Sequence, residues 1–297
     1  MTWETQYLDL VENIIHTGDL RKDRTGVGTI ALFGKSLDID MKAGFPAMTT
    51  KKLAWKAVVS ELLWFIEGSG NERRLAEILH GTCDPEKKTI WTDNASAPYW
   101  QPKAKFKGDL GPIYGVQWRS WPTYKKHKSG EQDLYVQGEP IDQLKAAIEK
   151  IKNNPTDRRI IISAWNVAEL ENVALPACHT LWQLFVKHDR HLSLQLYARS
   201  QDVILGTPFN IASYALLLEM IAQVTGCIAD RLIVTMGDVH IYSDHLDAAK
   251  EMIVRKPFNP PKLVINPSVI DIDHFKMNDL SLEGYQSHDS IKLKMAV

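Results

Sequence analysis

A nearly continuous apolar segment in the second half of the chain most strongly limits the folds open to it. Residues 211–225, IASYALLLEMIAQVT, predict a helix without a polar face, which has to be buried inside a domain. Strands are predicted on both sides of it, in HLSLQLYARS and RLIVTMGDVHIY, and LAWKAVVSELLWFIEG predicts another buried helix that stops at Gly68. Long buried helices with clustered strands predict one α/β (mixed α+β) domain over residues 1–297.

The remaining elements follow from shorter patterns. Residues 3–15 and IDQLKAAIEKIKNN predict amphipathic helices, and RRIIISAWN and TLWQLFV predict strands. In RTGVGTIALFGKSLDIDM apolar and polar residues alternate and glycines stand at the expected turns, which predicts a hairpin. In HLSLQLYARS the leucines are predicted on one face and Ser193, Gln195 and Tyr197 on the other. Two polar segments, at about 92–108 and 122–140, are predicted to be surface excursions within the same domain.

Composition excludes several classes of protein. The 35 basic and 36 acidic side chains nearly cancel, so we expect no DNA or membrane binding through net charge. No stretch approaches eighteen apolar residues, and the N-terminus lacks the pattern of a signal peptide. Cys83, Cys178 and Cys227 are too widely spaced for a disulfide framework or a CxxC metal site. A reducing, cytoplasmic location without a bound metal is therefore expected.

Cys178, in ALPACHTLWQ, has two interpretations. It is either a small buried residue or a thiolate nucleophile, and a nucleophile needs a base or a cationic neighbourhood. His179 is adjacent, but neighbours on an extended strand point to opposite faces, so it is a poor direct base. Activation is expected from elsewhere in the fold.

Other polar residues are equally open to two interpretations. Arg199, Ser200 and Asp202 suit a phosphate site or a salt-bridged loop, and further arginines occur at Arg158, Arg159 and Arg24. Asn210 stands where a helix N-cap is expected, yet its amide also matches the edge of a uracil. His240 and Tyr242 share one face of a strand and suit either a sugar hydroxyl or the interior of the protein.

Taken in order, these stretches resemble the landmarks of the folate-dependent thymidylate synthase family, which also includes the deoxynucleotide hydroxymethylases. The matching stretches are DRTGVGTIALFG, FPAMTTKK, ELLWFIEG, IW, DLGPIYGVQWR, DRRIIISAWN, CHTLWQLFV, RSQDVILGTPFNIASYALLLEMIAQV, GDVHIYSDH and the terminal MAV. The resemblance covers almost the whole chain. It implies one domain around a large twisted mixed sheet, which pairs with a second copy as a homodimer.

The resemblance also implies roles in binding dUMP. These are Arg24, Arg199 and Ser200 at the phosphate, Arg158 and Arg159 reaching it across the dimer interface, Asn210 and His179 around the base, and His240 and Tyr242 at the 3'-hydroxyl of the deoxyribose. Cys178 is implied to add to C6 of the uracil. The arginine cluster is expected to lower the pKa of its thiol.

A second set of implied roles concerns proton transfer and the cosubstrate, 5,10-methylenetetrahydrofolate. Glu61 is implied to organise water and protons with a raised pKa, and Tyr114 to help remove the C5 proton through water. Asn210 and Asp202 are the other implied catalytic residues. The folate site is implied to comprise Trp91, Asp202, Leu205, Gly206 and Phe209, with Lys51 near the glutamate tail and the carboxylate of Val297 closing the site.

Several positions depart from the family pattern and leave two products open. Ala177 stands where the family has proline, Ala198 replaces a glutamine, Gly70 replaces a threonine, and Asp244 replaces an asparagine. The small Ala198 leaves room for water, which favours 5-hydroxymethyl-dUMP over dTMP. Trp91 and the terminal MAV favour dTMP because they exclude water, and Asn210 argues against a cytosine nucleotide. A catalytically idle, RNA-binding relative is the third alternative, and it would not need Cys178.

Overall fold

A computed structural model describes residues 2–23, 25–129 and 132–294. Its α-helices are α1 (Trp3–Thr17), α2 (Trp55–Glu67), α3 (Glu72–His80), α4 (Thr92–Ala95), α5 (Tyr114–Arg119), α6 (Gln143–Asn153), α7 (Gly206–Thr225) and α8 (Leu246–Ile253). Its strands are β1 (Asp19–Arg21), β2 (Thr29–Asp40), β3 (Tyr124–Ser129), β4 (Gln132–Gln137), β5 (Ile161–Ser163), β6 (His179–Val186), β7 (His191–Asp202), β8 (Ile228–Tyr242), β9 (Lys262–Ile265) and β10 (Leu280–Glu283).

Six of these strands form one mixed sheet in the order β1-β2-β8-β7-β6-β5. The pairing of β7 with β8 is parallel and the other pairings in the sheet are antiparallel. A parallel pair needs a crossover connection, and α7 provides it. The expected mixed α+β domain with a large mixed sheet is therefore confirmed.

Helix α7 is the centre of the core. It is apolar around its whole circumference, and Leu216, Leu217, Leu218 and Ile221 are completely buried. It packs against α2 and against β7 and β8 of the sheet. The leucines of β7 at 192, 194 and 196 are also fully buried, whereas Tyr197 is on the opposite, partly exposed face, as the alternation predicts.

The predicted N-cap role of Asn210 is wrong. Helix α7 begins at Gly206, so Asn210 lies inside the helix. The carboxylate of Asp202 accepts hydrogen bonds from the backbone N–H groups of Ile204 and Leu205, each at 3.0 Å, and so closes the turn that precedes the helix. Pro208 is tolerated because it lies in the first turn, where a missing N–H breaks no helical hydrogen bond.

The hairpin predicted over residues 24–41 is also placed differently. Residues 29–40 form the single strand β2, which pairs along most of its length with the fifteen-residue strand β8. The antiparallel partner in the hairpin is β1, before the glycines. A long neighbouring strand gives β2 hydrogen-bond partners on both sides of Gly34, so this glycine adopts a positive φ of 72° without ending the strand.

The two polar segments differ in burial. Residues 92–108 include the short helix α4 and are not wholly on the surface, because Asn94 and Trp100 are buried. The indole of Trp100 donates to the carbonyl of Asp109 at 2.6 Å. In the second segment, β3 pairs antiparallel with β4, and Tyr124 and Tyr135 on these strands are exposed.

A close approach of two helices fixes the position of Tyr114. A Cβ on Gly115, the second residue of α5, would lie 2.2 Å from the carbonyl oxygen of Phe65 in α2. Only glycine therefore allows this contact between α5 and α2. The ring of Tyr114 stacks on that of Phe65, with centroids 5.0 Å apart.

The buried carboxylate of Glu4 anchors the loop that contains Lys51. It accepts hydrogen bonds from the N–H of Thr49 at 2.9 Å, the hydroxyl of Thr49 at 2.7 Å and the N–H of Thr50 at 2.6 Å. Three donors would lose their partner together if this carboxylate were removed.

We expect Glu4→Ala to lower the free energy of unfolding by about 3 kcal/mol, because buried donors are left without acceptors. Urea denaturation measures this change. Glu12→Ala removes an exposed carboxylate from the same helix and is the matched control, with an expected effect within about 0.5 kcal/mol. Equal losses in the two variants would contradict the anchoring role of Glu4.

Candidate active site

Cys178 lies in a loop that is held from two sides. Its backbone N–H donates to the phenol oxygen of Tyr114 at 2.8 Å, and its carbonyl accepts from the N–H of Arg199 at 2.9 Å. Helix α5 and strand β7 therefore fix the backbone of the predicted nucleophile. Strand β6 begins at the next residue, His179.

The side chain of Arg199 closes around the same loop. Its Nε donates to the carbonyl of Ala177 at 2.9 Å and its Nη2 to that of Pro176 at 2.8 Å, while Nη2 lies 4.0 Å from Sγ of Cys178. The guanidinium also stacks over the ring of Trp165, 5.2 Å from its centroid. Among the predicted phosphate-binding arginines that the structure describes, Arg199 is thus the one placed against the thiol.

The expected lowering of the Cys178 pKa is not observed in the single chain. Burial raises the pKa of this thiol above its ordinary value, and this effect exceeds the opposing effects of the Arg199 charge and of the hydrogen bond with Tyr114. Desolvation disfavours the thiolate, and one arginine at 4.0 Å does not compensate for it. The expectation rested on the whole arginine cluster and left out the burial, and in the described chain only Arg199 of that cluster lies beside the thiol.

Glu61 and Trp91 form a buried acid–indole pair. The indole N–H of Trp91 donates to Oε1 of Glu61 at 2.7 Å. Burial raises the pKa of Glu61 to about 7, and the hydrogen bond from Trp91 opposes this shift. The rings of Trp91 and Tyr114 are in edge contact at 5.8 Å, so α2, the residue before α4, and α5 bring these three side chains to one place.

His179 occupies a buried aromatic environment. Its ring is in edge contact with Tyr114 at 5.7 Å and with Tyr214 of α7 at 5.2 Å. Burial lowers the pKa of His179 to about 4, so the imidazole is neutral at pH 7. A neutral imidazole has one donor and one acceptor nitrogen for a polar network.

Four of the residues predicted to bind folate lie where β7 ends and α7 begins. Asp202 caps this turn as described above, and Leu205, Gly206, Phe209 and Asn210 follow within two turns of it, all of them partly exposed. In the described part of the chain the amide of Asn210 makes no hydrogen bond. The amide of Asn210 is therefore available to a ligand.

Lys51 is buried against this same turn. Its Nζ donates to the carbonyl of Ile204 at 2.6 Å. Burial lowers the pKa of Lys51 to about 8, while the charge of Asp202 opposes the shift. The lysine predicted to lie near the folate tail thus stabilises the backbone at the start of α7.

His240 and Tyr242 lie near each other at the end of β8, as predicted. Their rings are in edge contact at 5.1 Å. Nδ1 of His240 lies 2.8 Å from the carboxylate of Asp238, which also pairs with Arg21. Asp238 holds the imidazole in place, and sequence reasoning missed it because an acid two residues before a histidine carries no specific signal.

Two predicted arginines lie apart from the Cys178 loop, and two other predicted residues lie outside the described ones. Arg158 and Arg159 are exposed in the turn before β5, where the Nε of Arg159 pairs with Asp157 at 3.0 Å, and in the described chain neither contacts the Cys178 loop. Ser200 is partly exposed beside Arg199 on β7. Arg24 and Val297 lie outside the described residues.

The described residues contain neither a metal-binding cluster nor a membrane-spanning helix. Within residues 2–23, 25–129 and 132–294, no group of three or more histidine, cysteine, aspartate or glutamate side chains is placed to hold a metal ion. No helix in the same ranges has the length and apolar character needed to cross a bilayer.

A part-buried thiol, a carboxyl with a raised pKa and a neutral histidine around one site are typical of an enzyme active site. The family model for thymidylate synthase matches residues 5–297, nearly the whole chain. The chain therefore belongs to the thymidylate synthase family, as the sequence motifs predict. Membership implies a methyltransferase that acts on dUMP with methylenetetrahydrofolate as the one-carbon donor.

We expect the carboxyl of Glu61 to titrate near pH 7 and Trp91→Phe to raise this midpoint, because the indole N–H stabilises the carboxylate. Carbon-13 NMR of labelled glutamate measures it. Trp55→Phe is the matched control, since its indole donates to the carbonyl of Leu280 and its loss should leave the midpoint unchanged.

The same shift predicts a pH dependence of stability. The unfolded carboxyl ionises near pH 4.5 and the folded one near pH 7, so between these values the folded state holds the extra proton. The contribution of Glu61 to the free energy of unfolding therefore decreases as the pH rises from about 4.5 to about 7. Glu61→Gln should remove this decrease, and an unchanged pH profile would contradict the raised pKa.

Proposed function

We propose that the protein converts dUMP to dTMP with 5,10-methylenetetrahydrofolate, and that the thiolate of Cys178 adds to C6 of the uracil. Family membership supports dUMP methylation in general. The observation that carries the finer proposal is the placement of Sγ of Cys178 at 4.0 Å from the guanidinium of Arg199. The Cys178 loop is also fixed by Tyr114, whose ring is in edge contact with that of Trp91, the hydrogen-bond partner of Glu61.

Nucleotide binding would use the polar groups around this thiol. Arg199 has five N–H donors, and the loop carbonyls of Pro176 and Ala177 take two of them, so others remain for a phosphate together with Ser200 and Arg24. Asn210 would pair with the uracil edge, with His179 nearby. His240, held by Asp238, and Tyr242 would bind the 3'-hydroxyl.

The reaction requires a nucleophile, proton transfer at C5 and exclusion of water. Cys178 would form the bond to C6 and be released when the C5–C6 double bond is restored. Glu61, half protonated near pH 7, suits both donation and acceptance of a proton, and Tyr114 would assist removal of the C5 proton through water. Folate supplies the one-carbon unit and, for methylation, the hydride.

The folate would lie against the start of α7. The aromatic rings of Trp91 and Phe209, the carboxylate of Asp202 and the helix start at Leu205 and Gly206 would contact the cosubstrate. Its fused ring carries amide groups, which suit such a mixture of apolar and polar groups. Lys51 would hold this turn through its hydrogen bond to the carbonyl of Ile204. The Val297 carboxylate would close the site. The residues present fit a flat, partly apolar cosubstrate.

Hydroxymethylation of dUMP is a second candidate, and Ala198 is the observation that favours it. Ala198 is completely buried and pairs with His179 across β6 and β7, so both side chains point to the same face of the sheet. Where the family has glutamine, this smaller side chain would leave room for water near the base. Water adding to the methylene carbon on C5 would give 5-hydroxymethyl-dUMP.

The product distinguishes the two candidates. We expect incubation with dUMP and methylenetetrahydrofolate to give dTMP by mass spectrometry, together with dihydrofolate absorbance that rises in step. A product heavier by one oxygen, without dihydrofolate, would establish hydroxymethylation. Cys178→Ser should lower turnover at least about 10³-fold in either case, and unchanged turnover would contradict the covalent mechanism.

We also propose a homodimer in the cytoplasm. The sheet face opposite the buried leucines of β7 exposes the apolar residues Leu181, Phe185 and Tyr197, and an apolar face of this kind is typical of a protein interface. A second copy of the same sheet is the occupant that would bring Arg158 and Arg159 to a nucleotide phosphate. All three cysteines are free, which suits a reducing compartment.

Mixed dimers test the shared arginines. Cys178→Ser and the double variant Arg158→Ala, Arg159→Ala should each have low activity, whereas their one-to-one mixture should recover up to about a quarter of the wild-type activity, because each mixed dimer has one intact site. Light scattering verifies the dimer. Activity no greater than the sum of the separate variants would contradict arginine sharing.

A further inference from the structure

Buried polar atoms without a protein partner concentrate beneath the Cys178 loop. Eight such side-chain atoms occur among the residues that the structure describes, and five belong to four neighbouring rings. They are Nε1 of Trp118, Nδ1 and Nε2 of His179, Nε1 of Trp182 and Oη of Tyr214. Buried polar groups are nearly always hydrogen-bonded, to protein or to ordered water.

The four rings form one continuous cluster. His179 contacts Tyr214 at 5.2 Å, Tyr214 contacts Trp118 at 6.3 Å and Trp182 at 6.5 Å, and the two tryptophans contact each other at 5.4 Å. All four side chains are nearly or completely buried. The unpartnered atoms therefore share one interior region between the sheet, α5 and α7.

Ala198 lies beside this region, directly opposite His179 on the neighbouring strand. It pairs with His179 of β6 on one side and with Met236 of β8 on the other, so its methyl group is on the same sheet face as the imidazole. A methyl group offers no hydrogen bond. The partners of the five atoms have to come from another source.

The chemistry of the atoms fits water. The two indoles, the phenol and one imidazole nitrogen provide four donors, whereas the phenol oxygen and the other imidazole nitrogen are the acceptors. Each water accepts two hydrogen bonds and donates two, so two waters match all four donors and still donate to both acceptors. A solely apolar occupant would leave every one of these groups unpaired.

We propose that Trp118, Trp182 and Tyr214 hold internal water that hydrogen-bonds the ring nitrogens of His179, and that Tyr214 is thereby a positioning residue for this histidine. The water fixes the tautomer and the orientation of a neutral imidazole next to Cys178. The effect on turnover rests on the proposed function, in which His179 lies at the nucleotide base. The water site itself does not depend on that function.

A high-resolution crystal structure of the unliganded protein tests the site directly. We expect ordered water within about 3.2 Å of Oη of Tyr214 and of one ring nitrogen of His179. Density that lacks this water overturns the proposal. The readout does not involve turnover, so it separates failure of the water site from failure of the proposed function.

Two substitutions of similar size at Ala198 test whether the region is polar. The amide of Ala198→Gln can replace the water as a partner of the rings, whereas Ala198→Leu displaces the water and offers no hydrogen bond. We expect Ala198→Leu to melt at least about 3 °C below Ala198→Gln. An equal or higher melting temperature for Ala198→Leu means a dry, apolar region and overturns the proposal.

Tyr214→Phe tests the positioning role. It removes only the hydroxyl, and we expect kcat to fall about tenfold while KM for dUMP changes less than about twofold. Tyr285→Phe is the matched control, because that hydroxyl has protein partners in the carbonyl of Met48 and the N–H of Leu53, and its loss should leave kcat unchanged. An unchanged kcat in Tyr214→Phe overturns the positioning role.

Discussion

The parallel pairing of β7 with β8 is the constraint on which the site depends. It requires a crossover, and the apolar helix α7 can make that crossover only by burying itself against the sheet. The start of α7 is therefore pinned to the end of β7 by Asp202. Three site residues consequently lie near the end of β7: Arg199 and Ser200 on the strand itself and Asn210 on the helix that follows it.

Burial sets the electrostatics of this site more strongly than charge does. The pKa values of Cys178 and Glu61 rise, and those of Lys51 and His179 fall, and in each case desolvation is the largest cause. All four groups are thus shifted toward their neutral forms. A buried carboxyl such as that of Glu61, whose pKa is raised to about 7, exchanges protons near neutral pH.

Elements with strong periodicity were predictable, and contacts between distant residues were not. The leucine face of β7 and the end of α2 at Gly68 follow from local patterns. The start of α7 is misplaced in the sequence prediction. The carboxylate of Asp202 accepts hydrogen bonds that let the helix begin before Asn210, and this overrides the local preference of Asn210 for an N-cap position. The polar composition of residues 92–108 predicts a surface segment, because composition does not reveal that Trp100 and Asn94 are buried in the domain.

The sequence by itself determined the class of fold, the family and the identity of the side chains at the site, since ordered motifs and apolar periodicity are local properties of the chain. Only the tertiary structure decided the pKa values and the hydrogen-bond partners of these side chains. The raised pKa of Cys178, the pairing of Glu61 with Trp91 and the unpartnered ring atoms around Tyr214 arise from burial and from contacts between elements far apart in sequence. Desolvation and hydrogen-bond geometry depend on position in space, which residue order does not specify.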